Sequence, residues 1–442
     1  MKLAEQHVIK KGDPRYGAID AAAFASKNLH NQATYQIRQA YIHEGKYLPY
    51  VEVFHRVKHL DCYQALPRKV SNSILILIHK NWVSYFRAVE EWREHPEKFT
   101  GRPKIPGYKP KEKGRNILLY DLQAIGKRAY KKTGKIVPSG LGIEIETRVT
   151  WEDLDQVRII PRGSGYVVEV IYRKSETPAP VDPNMIAAID LGVDTLAAVT
   201  SNKPGFVPQL INGRPLKHLN AYYNKRRAKH QSTLATESRR TSRQLDRITT
   251  KRNRRINAYL HTASRRLIDQ LVSEGIGTLV IGLNKQWKQE INIGRHNNQT
   301  FCHIPHSRFI QMLEYKAQLV GITVIVREES YTSKASFLDL DPIPSYDPKA
   351  SEKPVFSGRR ETRGLYRARG GRRVQADVNG SYNTLRKEFP HAFCESQVRP
   401  GQQIAGAAVH PCRINGKRRE DIGSSVSASR LNGCDGAFAI IS

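Results

Sequence analysis

The 442-residue chain is strongly basic, because 72 Lys and Arg oppose 41 Asp and Glu and leave a formal net charge of +31. This balance favours a polyanionic partner, and a hydrophobic content of 39% excludes a disordered basic tail and suffices for two or three folded domains. No apolar run approaches the roughly 20 residues that span a membrane, and the N-terminus lacks the apolar centre of a signal peptide. We therefore expect a cytoplasmic protein with no membrane partner. The 5 cysteines form no CxxC pair, which argues against a disulfide framework and a four-thiolate zinc site.

The N-terminal part of the chain combines helical and β-type patterns. The first dozen residues can form a strand, and residues 18–43 and 67–95 carry apolar residues at helical spacing. Beyond a Pro, Gly and Lys-rich stretch at 102–116, three short β-type runs follow: GIEIETRV, QVRIIPR and YVVEVIYR. The last two are spaced as a hairpin. We therefore predict a helical unit and a small β-barrel.

From Asn184 onward, strand-like runs alternate with long helical segments. The runs are IAAIDLG, TLAAVT, GTLVIGL and GITVIVRE. This alternation is typical of an α/β sheet with helices on its faces. After about Phe393 the chain is rich in Gly, Ser and Arg without sustained periodicity, and we expect a flexible tail there.

The densest positive charge lies between Arg214 and Arg266, where 16 Lys and Arg accompany only 2 acids. A solvated helix face is the ordinary explanation of a charge run, but such faces usually mix the two signs. We predict that these residues line a nucleic-acid groove without base specificity. The candidates are Lys225, Arg226, Arg227, Arg239, Arg240, Arg243, Arg247, Lys251, Arg252, Arg254 and Arg255.

Two aspartates stand out against this basic background. Asp190 ends the apolar run MIAAID, and Asp377 begins a helical segment after the hairpin-like YRARGGRRVQ. In α/β sheets, ligands bind at the carboxyl ends of the strands, so Asp190 is a candidate metal ligand. The alternative is that each aspartate forms a turn or caps a helix.

The order IDLG, LVIGLN, YTSK and DVNGSYN resembles the RuvC-type RNase H fold of TnpB, a family of transposon-encoded RNA-guided nucleases related to type V CRISPR effectors. The resemblance covers about residues 1–393 and implies a multidomain α+β protein. The implied parts are a wedge-like β-barrel (1–14 and 107–180), a helical REC domain (15–106), a RuvC-like nuclease domain (181–331 and 377–393), an insertion in place of the zinc ribbon (332–376) and a flexible C-terminal tail (394–442).

The resemblance also implies an activity and its partners. A guide RNA selects a double-stranded DNA target next to a short adjacent motif, and a single RuvC site cleaves it with two Mg²⁺ ions. Asp190 and Asp377 match the metal-binding aspartates of the family. We expect a monomer on one RNA.

Two departures from the family pattern matter. The strand that matches GTLVIGLN carries Gly282 where most members have a catalytic Glu. The CxxC pairs that hold zinc are missing as well, so we expect no zinc. The insertion 332–376 should instead hold itself together by packing of Phe337, Leu338, Val355, Phe356 and Tyr366.

A displaced carboxylate could replace the missing Glu. The strand ITVIVREES ends in Glu328 and Glu329, and in this fold it runs parallel and next to the Gly282 strand, about 4.8 Å away. Glu329 is our first choice as the third Mg²⁺ ligand, Glu328 and Glu290 are alternatives, and a surface Glu paired with an arginine is the ordinary explanation. The competing functions are an RNA-guided repressor with weak or no nuclease activity and an unguided nucleic-acid chaperone.

Overall fold

A computed structural model describes residues 1–163, 165–283, 302–347, 353–393, 411–414 and 438–439. The chain divides into two compact units, one formed by Met1–Lys174 and Gly433–Ser442 and the other by Ser175–Asn432. Within the described ranges, no helix combines the length and the apolarity needed to cross a bilayer. Cys62, Cys302 and Cys412 form no disulfide, whereas Cys394 and Cys434 lie outside the described residues.

The first unit begins with strand β1 and continues as a group of helices. Their bounds are β1 (Lys2–Ile9), α1 (Tyr16–His43), α2 (Tyr50–Val57), α3 (Asp61–Gln64), α4 (Arg68–Glu94) and a short 3₁₀ helix (Pro96–Lys98). The helical spacing at 18–43 and 67–95 is confirmed by α1 and α4. Trp82 of α4 is fully buried and packs edge-on against Tyr41 at a ring distance of 5.4 Å.

An antiparallel sheet completes the first unit. The remaining elements of the unit are β2 (Leu118–Asp121), a 3₁₀ helix (Leu122–Ala124), α5 (Lys127–Thr133), β3 (Lys135–Ile136), β4 (Ile145–Glu146), β5 (Leu154–Arg162) and β6 (Gly165–Arg173). The strand order in the antiparallel sheet is Phe438–Ala439, β1, β6, β5, β2, while β3 and β4 pair with each other in a separate two-stranded sheet. The predicted hairpin is confirmed by the pair Arg162 and Gly165, whereas only Ile145–Glu146 of the run GIEIETRV forms a strand.

The second unit is built on a mixed six-stranded sheet. Its elements in chain order are β7 (Asp182–Leu191), β8 (Thr195–Ser201), β9 (Gln209–Asn212), α6 (Arg214–Thr236), α7 (Arg243–Ser273), β10 (Ile276–Gly282), α8 (His306–Leu319), β11 (Thr323–Arg327), β12 (Arg359–Thr362), β13 (Leu365–Arg367), a 3₁₀ helix (Arg369–Gly371), β14 (Arg373–Gln375), α9 (Ala376–Glu388) and β15 (Cys412–Ile414).

The strand order in this sheet is β11, β10, β7, β8, β9, β15. Strands β7, β8 and β9 are antiparallel neighbours, while β10 runs parallel to both β7 and β11. The predicted parallel pairing of the Gly282 strand is confirmed, because Gly282 lies opposite Arg327. Helix α9 packs across β7, β8 and β10, which brings Asp377 to the same sheet as Asp190.

The segment 332–376 packs largely as expected. Phe337 and Tyr366 are buried, Leu338 packs against the same cluster, and the ring of Phe337 stacks on Tyr382 of α9 at 4.3 Å. The prediction for Val355 was wrong, because its side chain is 91% exposed. An isolated apolar residue without periodic neighbours does not indicate whether its side chain is buried or exposed.

Lys316 of α8 is a charged group inside the second unit. Its Nζ donates to the carbonyl oxygen of His261 at 2.8 Å and to Ser264 Oγ at 2.7 Å, and the residue is 4% exposed. Burial, with a smaller contribution from the charge of Arg265, lowers the pKa of Lys316 to about 7. The charged form is therefore much less favourable in the folded protein than in the unfolded chain.

This burial predicts a pH-dependent stability. Between pH 7 and the ordinary lysine pKa the unfolded chain binds more protons than the folded one, so stability should rise with pH by up to about 5 kcal/mol. Lys316→Met removes this dependence. Urea unfolding of both proteins at several pH values between about 7 and about 10 measures the free energy of unfolding. The same change of this free energy with pH in wild type and Lys316→Met would contradict the prediction.

Candidate active site

Asp190 lies near the end of β7, after four buried residues, Ile186 to Ile189. It sits opposite Ala198 of β8, just before a tight turn. At Gly192 a Cβ would come within 2.6 Å of the Thr195 carbonyl oxygen, so the IDLG motif needs glycine there. Nε2 of the buried His306 also lies 2.8 Å from the Gly192 carbonyl oxygen, a contact that no sequence pattern indicated.

The carboxylate of Asp190 packs against helix α9. A Cβ at Gly380 would lie only 2.8 Å from Asp190 Oδ2, so glycine allows this close approach. Asp377 is three residues earlier, on the same face of the helix. Gln375 is the N-cap residue, since its side chain accepts from the Val378 amide at 2.7 Å and donates to Asp377 Oδ2 at 3.0 Å. The capping role considered for Asp377 therefore belongs to Gln375.

Glu329 fills the space that a side chain at Gly282 would need. A Cβ built on Gly282 would lie 2.6 Å from Glu329 Oε2 and 3.3 Å from Glu329 Cβ. On another side it would lie 3.3 Å from Thr384 Oγ1 of α9. The Glu329 side chain thus occupies space that is free because position 282 is glycine.

The three carboxylates interact through their charges. Burial raises the pKa of Asp190 well above its usual range, the charges of Glu329 and Asp377 raise it further, and Arg360 opposes them. Burial first, and then the charge of Glu328, raise the pKa of Glu329 to about 7, against the influence of Lys387. Half-buried carboxylates that repel one another are costly unless a cation joins them.

The donor set suits a hard cation, since Mg²⁺ prefers carboxylate oxygens. Across the described ranges, however, no group of three or more His, Cys, Asp or Glu side chains already has the arrangement that holds a metal ion. Arginine side chains also lie beside the acidic residues. Nη2 of Arg360 on β12 is 3.6 Å from Asp377 Oδ1. In the same hairpin Arg363 Nε lies 3.5 Å from Oδ2 of Asp194.

The two alternative third carboxylates differ in their surroundings. Glu328 Oε2 accepts from Lys387 Nζ at 2.6 Å, and its Oε1 accepts from the Ser330 amide at 2.7 Å. Glu328 is therefore engaged by Lys387 and Ser330, whereas the charge of Glu329 acts on Asp190. Glu290 lies outside the described residues.

Two asparagines of the DVNGSYN motif hold the YTSK segment and the residues directly after it against α9. Asn379 Oδ1 accepts from the Phe337 amide at 3.0 Å, and its Nδ2 donates to the Ala335 carbonyl oxygen at 2.8 Å. Asn383 Nδ2 donates to the Thr332 carbonyl oxygen at 2.9 Å. Their spacing of four residues on a helix was the available signal for a shared face, which sequence analysis did not use.

The basic residues of α6, α7 and the loop between them fall into a partly buried and an exposed group. Arg252 is partly buried and donates to Asn220 Oδ1 at 2.8 Å and to the His303 carbonyl oxygen at 3.0 Å, and the partly buried Arg226 lies over the Tyr222 ring. The exposed candidates are Lys225, Arg227, Arg239, Arg240, Arg243, Arg247, Lys251, Arg254 and Arg255. The structure thus leaves most of the predicted groove residues accessible and gives Arg252 a structural role.

The exposed part of α7 predicts a salt effect. Replacing Lys251, Arg254 and Arg255 by Gln should reduce the slope of log affinity against log salt by roughly 2 to 3, since each lost phosphate contact contributes about 0.7 to 0.9. Affinity for nucleic acid, measured by fluorescence anisotropy between about 50 and about 200 mM salt, tests this.

A charge-matched control lies on α5, where Arg128, Lys131 and Lys132 are also exposed. Their triple Gln variant should change the slope less. An equal reduction would contradict the assignment of the groove to α7.

Comparisons with known proteins match the parts of the chain that carry these carboxylates. A family model described as "Probable transposase" matches residues 168–288, which contain Asp190, and one described as "Cas12f1-like, TNB domain" matches residues 306–384, which contain Glu329 and Asp377. The TnpB-like protein ORF457 of Acidianus two-tailed virus is 24% identical over 405 residues, covering 82% of this chain and 81% of that protein.

Solved structures are also similar, at low identity. A Cas12f1–sgRNA–target DNA complex matches with a TM-score of 0.49 and 14% identity, over 83% of this chain and 82% of that one. A mini-RNA-guided endonuclease, CRISPR-Cas_phi3, matches with a TM-score of 0.39 and 10% identity, over 87% and 92%. The two family models and the viral relative, taken with the ordered acidic motifs, support the resemblance to TnpB proteins.

Proposed function

We propose that this protein is an RNA-guided DNA endonuclease, a hydrolase that cleaves target double-stranded DNA beside a short adjacent motif. The observation that carries the proposal is the position of Asp190, which packs on the helix that bears Asp377 and is electrostatically coupled to Glu329, two residues beyond the end of β11. Three acidic groups meeting at one sheet edge have no use in a protein that only binds polyanions.

The proposed domain roles follow the two units. The helices α1 to α4 would form the REC part and the antiparallel sheet of the first unit the wedge. The second unit would be the RuvC-like RNase H fold, a proposal supported by three antiparallel strands followed by two parallel ones and by α9 across them. The segment 332–376 would replace the zinc ribbon without zinc.

In the proposed mechanism, Asp190, Asp377 and Glu329 hold the cations. Two Mg²⁺ ions, when bound, supply water activation and stabilisation of the leaving oxygen. Gly380 lets Asp190 approach α9, and Gly282 leaves room for Glu329. Arg360, half exposed beside Asp377, neutralises negative charge at the edge of the site. The exposed basic residues of α6 and α7 would hold the guide RNA or DNA backbone.

The decisive experiment begins with the RNA that copurifies with the protein. Sequencing it identifies the guide, and a plasmid library matched to that guide is then incubated with the complex in Mg²⁺ or in EDTA. Cleavage of matched plasmid in Mg²⁺ alone supports the endonuclease. Guided binding without cleavage would favour the repressor, for which Gly282 is the motivating observation. Binding without a discrete RNA would favour the chaperone.

A further inference from the structure

Lys387 is a nearly buried charged residue that the proposed mechanism has not used. It lies in the last turn of α9, and its side chain is only 4% exposed. Its Nζ donates to Glu328 Oε2 at 2.6 Å and to the Ser330 carbonyl oxygen at 2.9 Å. Lys387 therefore binds the side chain of Glu328 and the main chain of Ser330, the residues on either side of Glu329.

The backbone around Glu329 is constrained as well. The Glu329 carbonyl oxygen accepts from the Thr332 hydroxyl at 2.9 Å, and the Ser330 amide donates to Glu328 Oε1 at 2.7 Å. Tyr331 has a φ of 67°, in the left-handed region that residues other than glycine rarely adopt. Such a conformation persists only where surrounding contacts impose it, and it is concentrated at functional sites.

The same helix carries two residues that matter to the acidic site. Asp377 is at its start and Lys387 at its end, about 15 Å apart along the axis. A rigid helix that contributes one carboxylate directly can thus fix another through its far end. Glu329 lies beyond the end of β11, and such a support fixes it in the space above Gly282.

Resting on the proposed function, we propose that Lys387 is a positioning residue, which holds the Glu328–Ser330 segment so that Glu329 stays in the space above Gly282 and completes the cation site with Asp190. Residues that orient metal ligands typically change metal affinity when they are replaced, even though they do not touch the ion. Lys387 does not contact DNA or the cation in this role.

The test measures Mn²⁺ binding by calorimetry to full-length protein freed of RNA by high salt, with Asp190→Ala as the background. Lys387→Met should weaken the site that Asp190→Ala removes, by about 10- to 100-fold. Lys387→Arg, which can still donate to both oxygens, should restore most of the affinity. Glu328→Gln, which retains an oxygen acceptor, should have a smaller effect than Lys387→Met.

A double variant separates positioning from a general structural role. If Lys387 acts through Glu329, Lys387→Met should cost nothing further in a Glu329→Gln background. Equal Mn²⁺ affinity of wild type and Lys387→Met, or an undiminished loss in the Glu329→Gln background, overturns the inference. Absence of a specific Mn²⁺ site in the wild type would instead overturn the proposed function itself, and this inference with it. Thermal melts of each variant check that the fold is retained. If Lys387→Met does not fold, the Mn²⁺ affinity of Lys387→Arg is the test, and a loss as large as that of Asp190→Ala would overturn the inference.

Discussion

Asp190→Ala is expected to abolish cleavage of guide-matched DNA while leaving RNA and DNA binding intact. Metal ions contribute several kcal/mol of transition-state stabilisation, so loss of their central ligand should slow cleavage by roughly 10³-fold or more. Single-turnover cleavage of a labelled duplex measures the rate, and filter binding measures target affinity.

A stability measurement accompanies this experiment. Because burial and two neighbouring carboxylates raise the pKa of Asp190, its charge destabilises the metal-free fold, and Asp190→Asn should melt at a higher temperature than wild type. Asp182→Ala, at the opposite end of the same strand, is the matched control and should change neither the cleavage rate nor the melting temperature. Full cleavage by Asp190→Ala would remove the nuclease proposal.

Placing the carboxylate at position 282 in place of position 329 is expected to preserve most of the cleavage activity, whereas each single substitution reduces it. Glu329→Gly should slow cleavage by about 10²-fold, equivalent to about 3 kcal/mol in the barrier. Gly282→Glu should also impair cleavage, because its Cβ would lie 2.6 Å from Glu329 Oε2. The double variant, which has one carboxylate in the family's usual position, should recover to within about tenfold of wild type.

Glu328→Gln is the control for this exchange, since Glu328 pairs with Lys387 and not with Asp190. Its cleavage rate should fall far less than that of Glu329→Gly, because glutamine retains an oxygen that accepts from Lys387. A double variant no faster than Glu329→Gly, or a Glu328→Gln variant as slow as Glu329→Gly, would show that Glu329 is not the displaced ligand.

Some elements were predictable because their signals are local. Apolar residues at helical spacing identified α1 and α4, and the pair β5 and β6 followed from alternation around glycine. The parallel neighbours β10 and β11 followed from the alternation of strands and helices. The insertion was harder, as the exposed Val355 shows, because a short irregular segment carries no period from which burial can be inferred.

The sequence by itself determined that Asp190 ends a buried strand, that Asp377 begins a helix and that basic residues crowd the helices between them, since these features depend on near neighbours in the chain. Only the tertiary structure decided that Glu329 rather than Glu328 is electrostatically coupled to Asp190, and that Arg252 is partly buried and hydrogen-bonded within the protein. Glu328 and Glu329 follow the end of β11, and which of them comes near a residue 139 positions away is set by the packing of β11 and α9 on the sheet, which no local pattern records.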